Sequence, residues 1–273
     1  MYQSFPYVYS EKKPQSQFYL MDLVSFLQII LKRIDAAKEK YGQTLVSDVR
    51  ESIKHLQYLK LDVRSLYLFS SAFLDYLVNY ISHSFFQDYV KSGLKNNSFR
   101  DHIKTLKKTE GVDELFIEYK NFLLKKEQIL ELRIIIIRDK MITHRYTDTN
   151  EFWGYDPRTK TFYIYFTKQR DFYIIKEALR VNIQILAQKY NVVKEFNPEL
   201  VSEFVYYNSI LEELENLPVT FEKKDRDLLK NSRIALGAII NGEKVYNLLY
   251  ETSEGLCKIL NKDGLRYVPR YME

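Results

Sequence analysis

Apolar side chains return every three or four positions through residues 17–41 (Leu20, Leu23, Val24, Leu27, Ile30, Leu31, Ile34), the period of a helix with one face turned to a core. Gly42 follows as the expected C-cap. Ser47 or Asp48 offers the next N-cap, and the same period runs on to about Val90, ahead of the loop "SGLKNNS". One unbroken helix of that length spans about 65 Å at about 1.5 Å per residue. A break near residues 61–65 is therefore expected, dividing the segment into two helices.

A further long helix is predicted over residues 113–143, with "GVDE" as its start signal and Asp113 or Gly111 near the cap. The period then changes. "EFWGYDPRTKTFYIYF" places a proline-containing turn between two runs, the second rich in β-formers, and predicts an inserted β-hairpin at about 149–168. Helical spacing resumes over 171–190 and again over 198–216. Past Pro218, Asn241–Gly242 sits between two apolar runs, a hairpin signal, and Asp263–Gly264 offers a second turn. Residues 219–273 read as a small β-meander preceded by a short helix near 225–230, with a helical reading of 228–240 left open. The expected fold class is mostly α: a helical domain over 17–217 carrying the hairpin, and a small β-rich extension over 218–273.

Composition narrows the class. Of 273 residues, 46% are hydrophobic and 28% charged, the balance of a globular chain rather than a disordered one. The net charge of +5 permits a nucleic-acid partner without the dense basic patch of a dedicated binder. A single cysteine, Cys257, rules out an intrachain disulfide and a thiolate metal cluster, and points to a cytoplasmic setting. The opening "MYQSFPYVYSEKKP" lacks the apolar core of a signal peptide. The most apolar run, residues 66–86, is interrupted by Asp75, Asn79 and His83, so no membrane span is expected. The eight glycines are scattered and form no phosphate-cradling loop; no metal-ligand spacing appears, and no cofactor is expected.

Candidate chemistry is concentrated in "IIIIRDKMITHRY", residues 134–146, where an apolar helix turns abruptly to charge. Arg138 presents a planar fork of donors suited to phosphate oxygens. His144 is the side chain type that takes up and releases protons near neutrality. Cleaving RNA without a metal needs a base for the 2′-hydroxyl, an acid for the leaving 5′-oxygen and a cation for the charge building on phosphorus. On one straight helix, six residues rotate by about 600°, leaving Arg138 and His144 roughly 120° apart and about 9 Å along the axis. Either the helix breaks near residues 142–143, or a second copy completes the site. One histidine cannot be base and acid at once, which favours a two-fold dimer. A structural alternative is a helix end where Arg138, Lys140 and Arg145 offset the C-terminal dipole and His144 caps carbonyls.

The segment "RDKMITH", with Arg138, Asp139, His144 and then Tyr146 after an apolar helix, resembles the signature of the HEPN superfamily. That signature is Arg, a polar residue, then His after four to six intervening positions. The variant here is most similar to those of prokaryotic abortive-infection-type defence proteins. The resemblance covers the motif and its helical setting, roughly residues 45–190, and leaves the first helix, the hairpin and the C-terminal region unexplained. It implies a HEPN-like helical bundle and a metal-independent endoribonuclease acting on single-stranded RNA, with the two motifs of a homodimer facing one groove. It also implies a toxin-like role and a restraining antitoxin as a further partner. Arg138 and His144 would then be catalytic with Asp139 orienting, and Tyr146, Lys140 and Arg145 would contact substrate. The rival expectation is a non-catalytic helical scaffold that binds RNA or protein.

Two further groups stand out. Ser71, Asp75, Asn79, His83 and Gln87 recur every four residues, a polar stripe read either as a solvated face or as part of a cleft. His55 and His102 lie among lysines and read as surface residues.

Overall fold

In a computed structural model, the described residues are 15–44, 48–139, 150–156, 161–167, 182–192, 213–214, 216–217, 222–228, 238–239 and 242–260. The chain is mostly helical. It divides into two compact units, Met1–Leu130 with Asn241–Glu273, and Glu131–Ile240.

The first unit is built on two long antiparallel helices, α1 (Ser16–Thr44) and α2 (Val49–Phe85). Leu20, Leu23, Val24, Leu27, Ile30, Leu31 and Ile34 form the buried face of α1, each at 7% exposure or less. Burying each such side chain is worth roughly 1.5–3 kcal/mol. The register between the helices is marked by three pairs. Tyr19 stacks on Tyr76, Phe26 meets Phe69, and Arg33 grips Asp62 through Nη2 at 3.0 Å and Nε at 3.2 Å. These pairs step seven residues along each helix in opposite directions, the repeat of coiled-coil packing. Burial pushes the Asp62 carboxyl up, and Arg33 pulls it back.

The expected break at residues 61–65 is absent: α2 is one helix of 37 residues, about 55 Å long. Length was a poor guide, because α2 contains no glycine or proline and its buried row (Leu59, Asp62, Val63, Leu66, Tyr67) passes through the site without losing phase. Asp48 is the N-cap, its Oδ1 accepting from the amides of Arg50 and Glu51. Gly42 does not end α1, which continues to Thr44.

After α2 come the single turn α3 (Gln87–Lys91), then α4 (Phe99–Leu106) and α5 (Glu114–Leu130). Gly93 turns the chain out of α3 with φ of +112°, a conformation open to glycine. The start of α4 is held by Ser98 at its N-cap and by Asp75 of α2, whose Oδ1 accepts from Phe99 N at 2.7 Å. Asp113 begins α5, its Oδ1 accepting from Phe116 N at 2.7 Å.

The C-terminal region departs most from expectation. Instead of a β-meander, Gly242–Leu260 forms a 19-residue helix, α6, that packs on α5, α2 and α1. The β-rich reading is thus corrected over 242–260, while residues 223–228 are helical near the short helix expected there and the turn at Asp263–Gly264 lies outside the described residues. Asn241–Gly242 is a hairpin signal only when strands flank it, whereas Val245, Tyr246, Leu248, Leu249, Thr252, Ser253, Leu256, Cys257 and Leu260 bury a helical stripe. Gly242 serves close approach rather than a turn: a Cβ there would run into Leu31 Cδ2 and come within 3.3 Å of Leu66 Cδ2. Gly255 meets the ring of Phe122 on α5 in the same way. Gly242→Val is expected to lower unfolding free energy by about 1–3 kcal/mol through overpacking, read as a drop in the urea midpoint.

In the second unit, two strands, β1 (Asn150–Asp156) and β2 (Thr161–Thr167), pair antiparallel, with Asn150 opposite Thr167 and Asp156 opposite Thr161. The two-residue β3 (Ala238–Ile239) joins the other edge of β2. Residues 182–189 and 223–228 are helical. They are tied by Asp225 Oδ2, which accepts from Lys189 Nζ and Tyr190 OH, both at 2.6 Å. Those two donors hold the Asp225 carboxyl below the usual range.

Candidate functional site

The helix that leads to Arg138 begins at the Asp113 cap and buries Phe116, Tyr119, Leu123 and Leu130 along one face. It does not continue as a plain α-helix. Glu131–Ile135 form a π-helical turn, followed by one α-helical turn, Ile136–Arg138. Such turns are uncommon, break the regular ladder and occur frequently at functional sites. Ile134 and Ile135 are buried at 0% and 2% exposure, so the apolar run anchors the segment just before the charged residues.

Arg138 turns back onto its neighbour. Nε and Nη2 both donate to Asp139 Oδ1, at 2.9 Å and 2.6 Å, and the two side chains are 24% and 12% exposed. Consecutive residues on a regular helix do not face one another, so this pairing needs the guanidinium to bend across the surface. Asp139 thereby fixes the plane of the fork while the cation stays partly open to solvent. The arrangement suits an oriented anion clamp. His144, Lys140, Arg145 and Tyr146 lie outside the described residues, as does the expected break at 142–143.

The polar stripe of α2 divides. Ser71 is buried at 2% exposure. Asp75, Asn79 and His83 of α2 and Gln87 at the start of α3 instead line a surface pocket of about 810 Å³, with Gln15 just before α1, Ser16 and Tyr19 from its start, Ala72 and Tyr76 from α2, and Asn97 from the loop before α4. The four-residue repeat signalled the α2 row; no periodicity could have linked it to Ser16 or Asn97.

His102 is corrected from a surface residue to a core one. It is fully buried, with Nδ1 at 2.8 Å from the carbonyl of Lys95 and Nε2 at 2.8 Å from the hydroxyl of Tyr119. The carbonyl only accepts, so Nδ1 carries the proton and Nε2 accepts from Tyr119, a tautomer inferred from the partners. Burial lowers its pKa to about 4. His55 is only 16% exposed in its side chain and lies 3.7 Å from Glu51. Cys257 is buried and its thiol is pushed up to about 12, which makes it inert as a nucleophile at neutral pH.

Among the described residues, no helix is long and apolar enough to cross a membrane, and no three His, Cys, Asp or Glu side chains are grouped to hold a metal ion. Compared with protein-family models, curated proteins and solved structures, the chain matches none.

Proposed function

We propose that the chain is a cytoplasmic, HEPN-like endoribonuclease that cuts single-stranded RNA without a metal cofactor, through Arg138 and His144 contributed by both copies of a homodimer. The observation that carries this reading is the pairing of Arg138 with Asp139: a guanidinium oriented by a carboxylate and partly open to solvent, at the end of the α-helical turn that follows a π-helical one. Arg138 clamps the scissile phosphate. His144 of one copy takes the 2′-hydroxyl proton, the 2′-oxygen attacks phosphorus, and His144 of the other copy protonates the departing 5′-oxygen. The products are a 2′,3′-cyclic phosphate and a free 5′-hydroxyl. Lys140, Arg145 and Tyr146 contact the RNA beside the cut. In this reading the strand pair at 150–167 is an insertion in the helical bundle, and a toxin-like activity is held in check by an antitoxin protein.

The test uses the purified chain, single-stranded RNA and EDTA. Cutting is expected to persist in EDTA and to leave cyclic-phosphate ends. Arg138→Ala and His144→Ala are each expected to lower the rate by about 100-fold or more, the scale of removing one transition-state donor or proton carrier, with helical circular dichroism unchanged. Loss of cutting in EDTA, normal cutting by both variants, or no cutting by the folded wild-type chain would overturn the proposal. The last result, with RNA still bound, would favour the scaffold.

A further inference from the structure

The pocket at the start of α1 has three polar side-chain groups that make no hydrogen bond among the described residues. Ser16 is 94% buried (6% exposed), and its Oγ has no hydrogen-bond partner among the described residues although the residue lines the pocket. A buried hydroxyl without a partner costs free energy, so it marks a place where a ligand or water is owed a bond. Asn79 and His83, one turn apart on α2, are half-buried along the same wall, and among the described residues neither side chain makes a hydrogen bond or ion pair.

The chemistry of the lining narrows the ligand. Among the described lining residues there is no lysine or arginine, and Asp75 is acidic, so a phosphate finds no permanent counter-charge here. Asn79, Gln87, Gln15 and Asn97 carry amides, each with a donor and an acceptor side by side. Asn79 and His83 stand in a row spaced about 6 Å along the helix, which suits the flat edge of a ring better than the scattered hydroxyls of a sugar. Tyr19 and Tyr76 stack at 5.2 Å with an interplanar angle of 29°, both lining the pocket and both partly exposed, at 42% and 36%. Aromatic faces beside amide edges are the means by which proteins hold unpaired bases. The volume falls within the range of small-molecule sites.

We propose that this pocket is a nucleobase-binding site, with Asn79 and His83 reading the edge of the base, Ser16 lining the wall beside them and Tyr76 or Tyr19 stacking on its face. The base comes either from a free nucleoside or from a residue of single-stranded RNA. The proposal stands whether or not the ribonuclease reading holds, because it uses none of the same residues.

Calorimetric titration of the full chain tests it, using the four ribonucleosides, their 5′-monophosphates, short single-stranded oligonucleotides and a panel of monosaccharides. At least one nucleoside is expected to bind, and its monophosphate is expected to bind no tighter. An oligonucleotide that binds more tightly than its nucleoside identifies RNA as the source; equal binding identifies the free nucleoside. Removing one hydrogen-bonding edge with Asn79→Leu, or the stacking face with Tyr76→Ala, is expected to weaken binding by about tenfold. Asn79→Asp, which keeps the shape but replaces a donor by an acceptor, is expected to change the preferred base. Repeating the titration with Arg138→Ala protein, in which cleavage is removed, reads the pocket without turnover, so the two proposals fail separately. No nucleoside binding, binding indifferent to all three pocket variants, a monophosphate that binds tenfold tighter, or a sugar that binds where no nucleoside does would each overturn the assignment.

Discussion

Tyr119→Ala is expected to lower the unfolding free energy by about 3–5 kcal/mol, the range for truncating a buried aromatic, with a further roughly 1–3 kcal/mol for the hydrogen-bond partner it abandons. Tyr119 is fully buried. Its ring packs 4.8 Å from Phe86 and 6.3 Å from Phe116, so removal leaves a void among rings held on α2's end and α5. Its hydroxyl is the partner of His102 Nε2. Against a total stability of about 5–15 kcal/mol for an ordinary domain, such a loss brings the first unit close to unfolding at 37 °C. Tyr119→Phe separates the two contributions, since it keeps the ring and removes only the hydroxyl. It is expected to cost about 1–3 kcal/mol. Urea unfolding followed by circular dichroism measures both. If Tyr119→Ala costs no more than Tyr119→Phe, the ring is not the packing element described.

The second large effect is a loss of stability in mild acid that originates at His102. An unfolded histidine protonates near pH 6.5, whereas the folded one resists protonation down to about pH 4, because burial disfavours the charged ring. Between those values the unfolded chain binds a proton that the folded chain does not. Stability therefore rises with pH across that window: it is fully present above about pH 6.5, falls as the pH drops through the window, and levels off below about pH 4. The difference in pKa corresponds to roughly 3 kcal/mol. The Asp225 carboxyl, held below its usual range, contributes its own loss further into acid, beneath this window. His102→Gln removes the titrating group while keeping a donor and an acceptor. Its urea midpoint is expected to vary less between pH 7.5 and pH 4.5 than that of the wild-type chain. Equal slopes for the two proteins would show that the acid sensitivity arises elsewhere.

Both effects sit in a part of the molecule that local sequence described badly. His102 lies among lysines, and its neighbours suggest a wet surface. What buries it is the approach of Tyr119 on α5 and the Lys95 carbonyl on the preceding loop, two contacts set by how α4 folds back. The α2 stripe has the same lesson in the opposite sense. Its four-residue spacing marked one face, but a face becomes a pocket only when other elements wall it. Here the walls are Ser16 and Tyr19 from α1 and Asn97 from the loop before α4.

Local signals did best where one residue does the work. Asp48 and Asp113 were readable as helix starts because a carboxylate satisfies orphan amides within three residues of itself. The adjacency of Arg138 and Asp139 was also plain, although their mutual hydrogen bonds, and the π-helical turn that precedes them, carry no pattern in the sequence. Helices α1, α2 and α5 were legible through their apolar period, with their ends and continuity misjudged, whereas α6 was read as strands.

By itself, then, the sequence determined that the chain is mostly helical and where α1, α2 and α5 lie, because each of these depends on spacing or contacts within a few residues. Tertiary structure decided the rest. Gly242–Leu260 is a helix because its apolar stripe finds α1, α2 and α5 to bury against, and that gain outweighs a turn signal confined to Asn241 and Gly242. His102 is neutral, and the α2 stripe is a pocket wall, because distant segments exclude water from one and enclose the other.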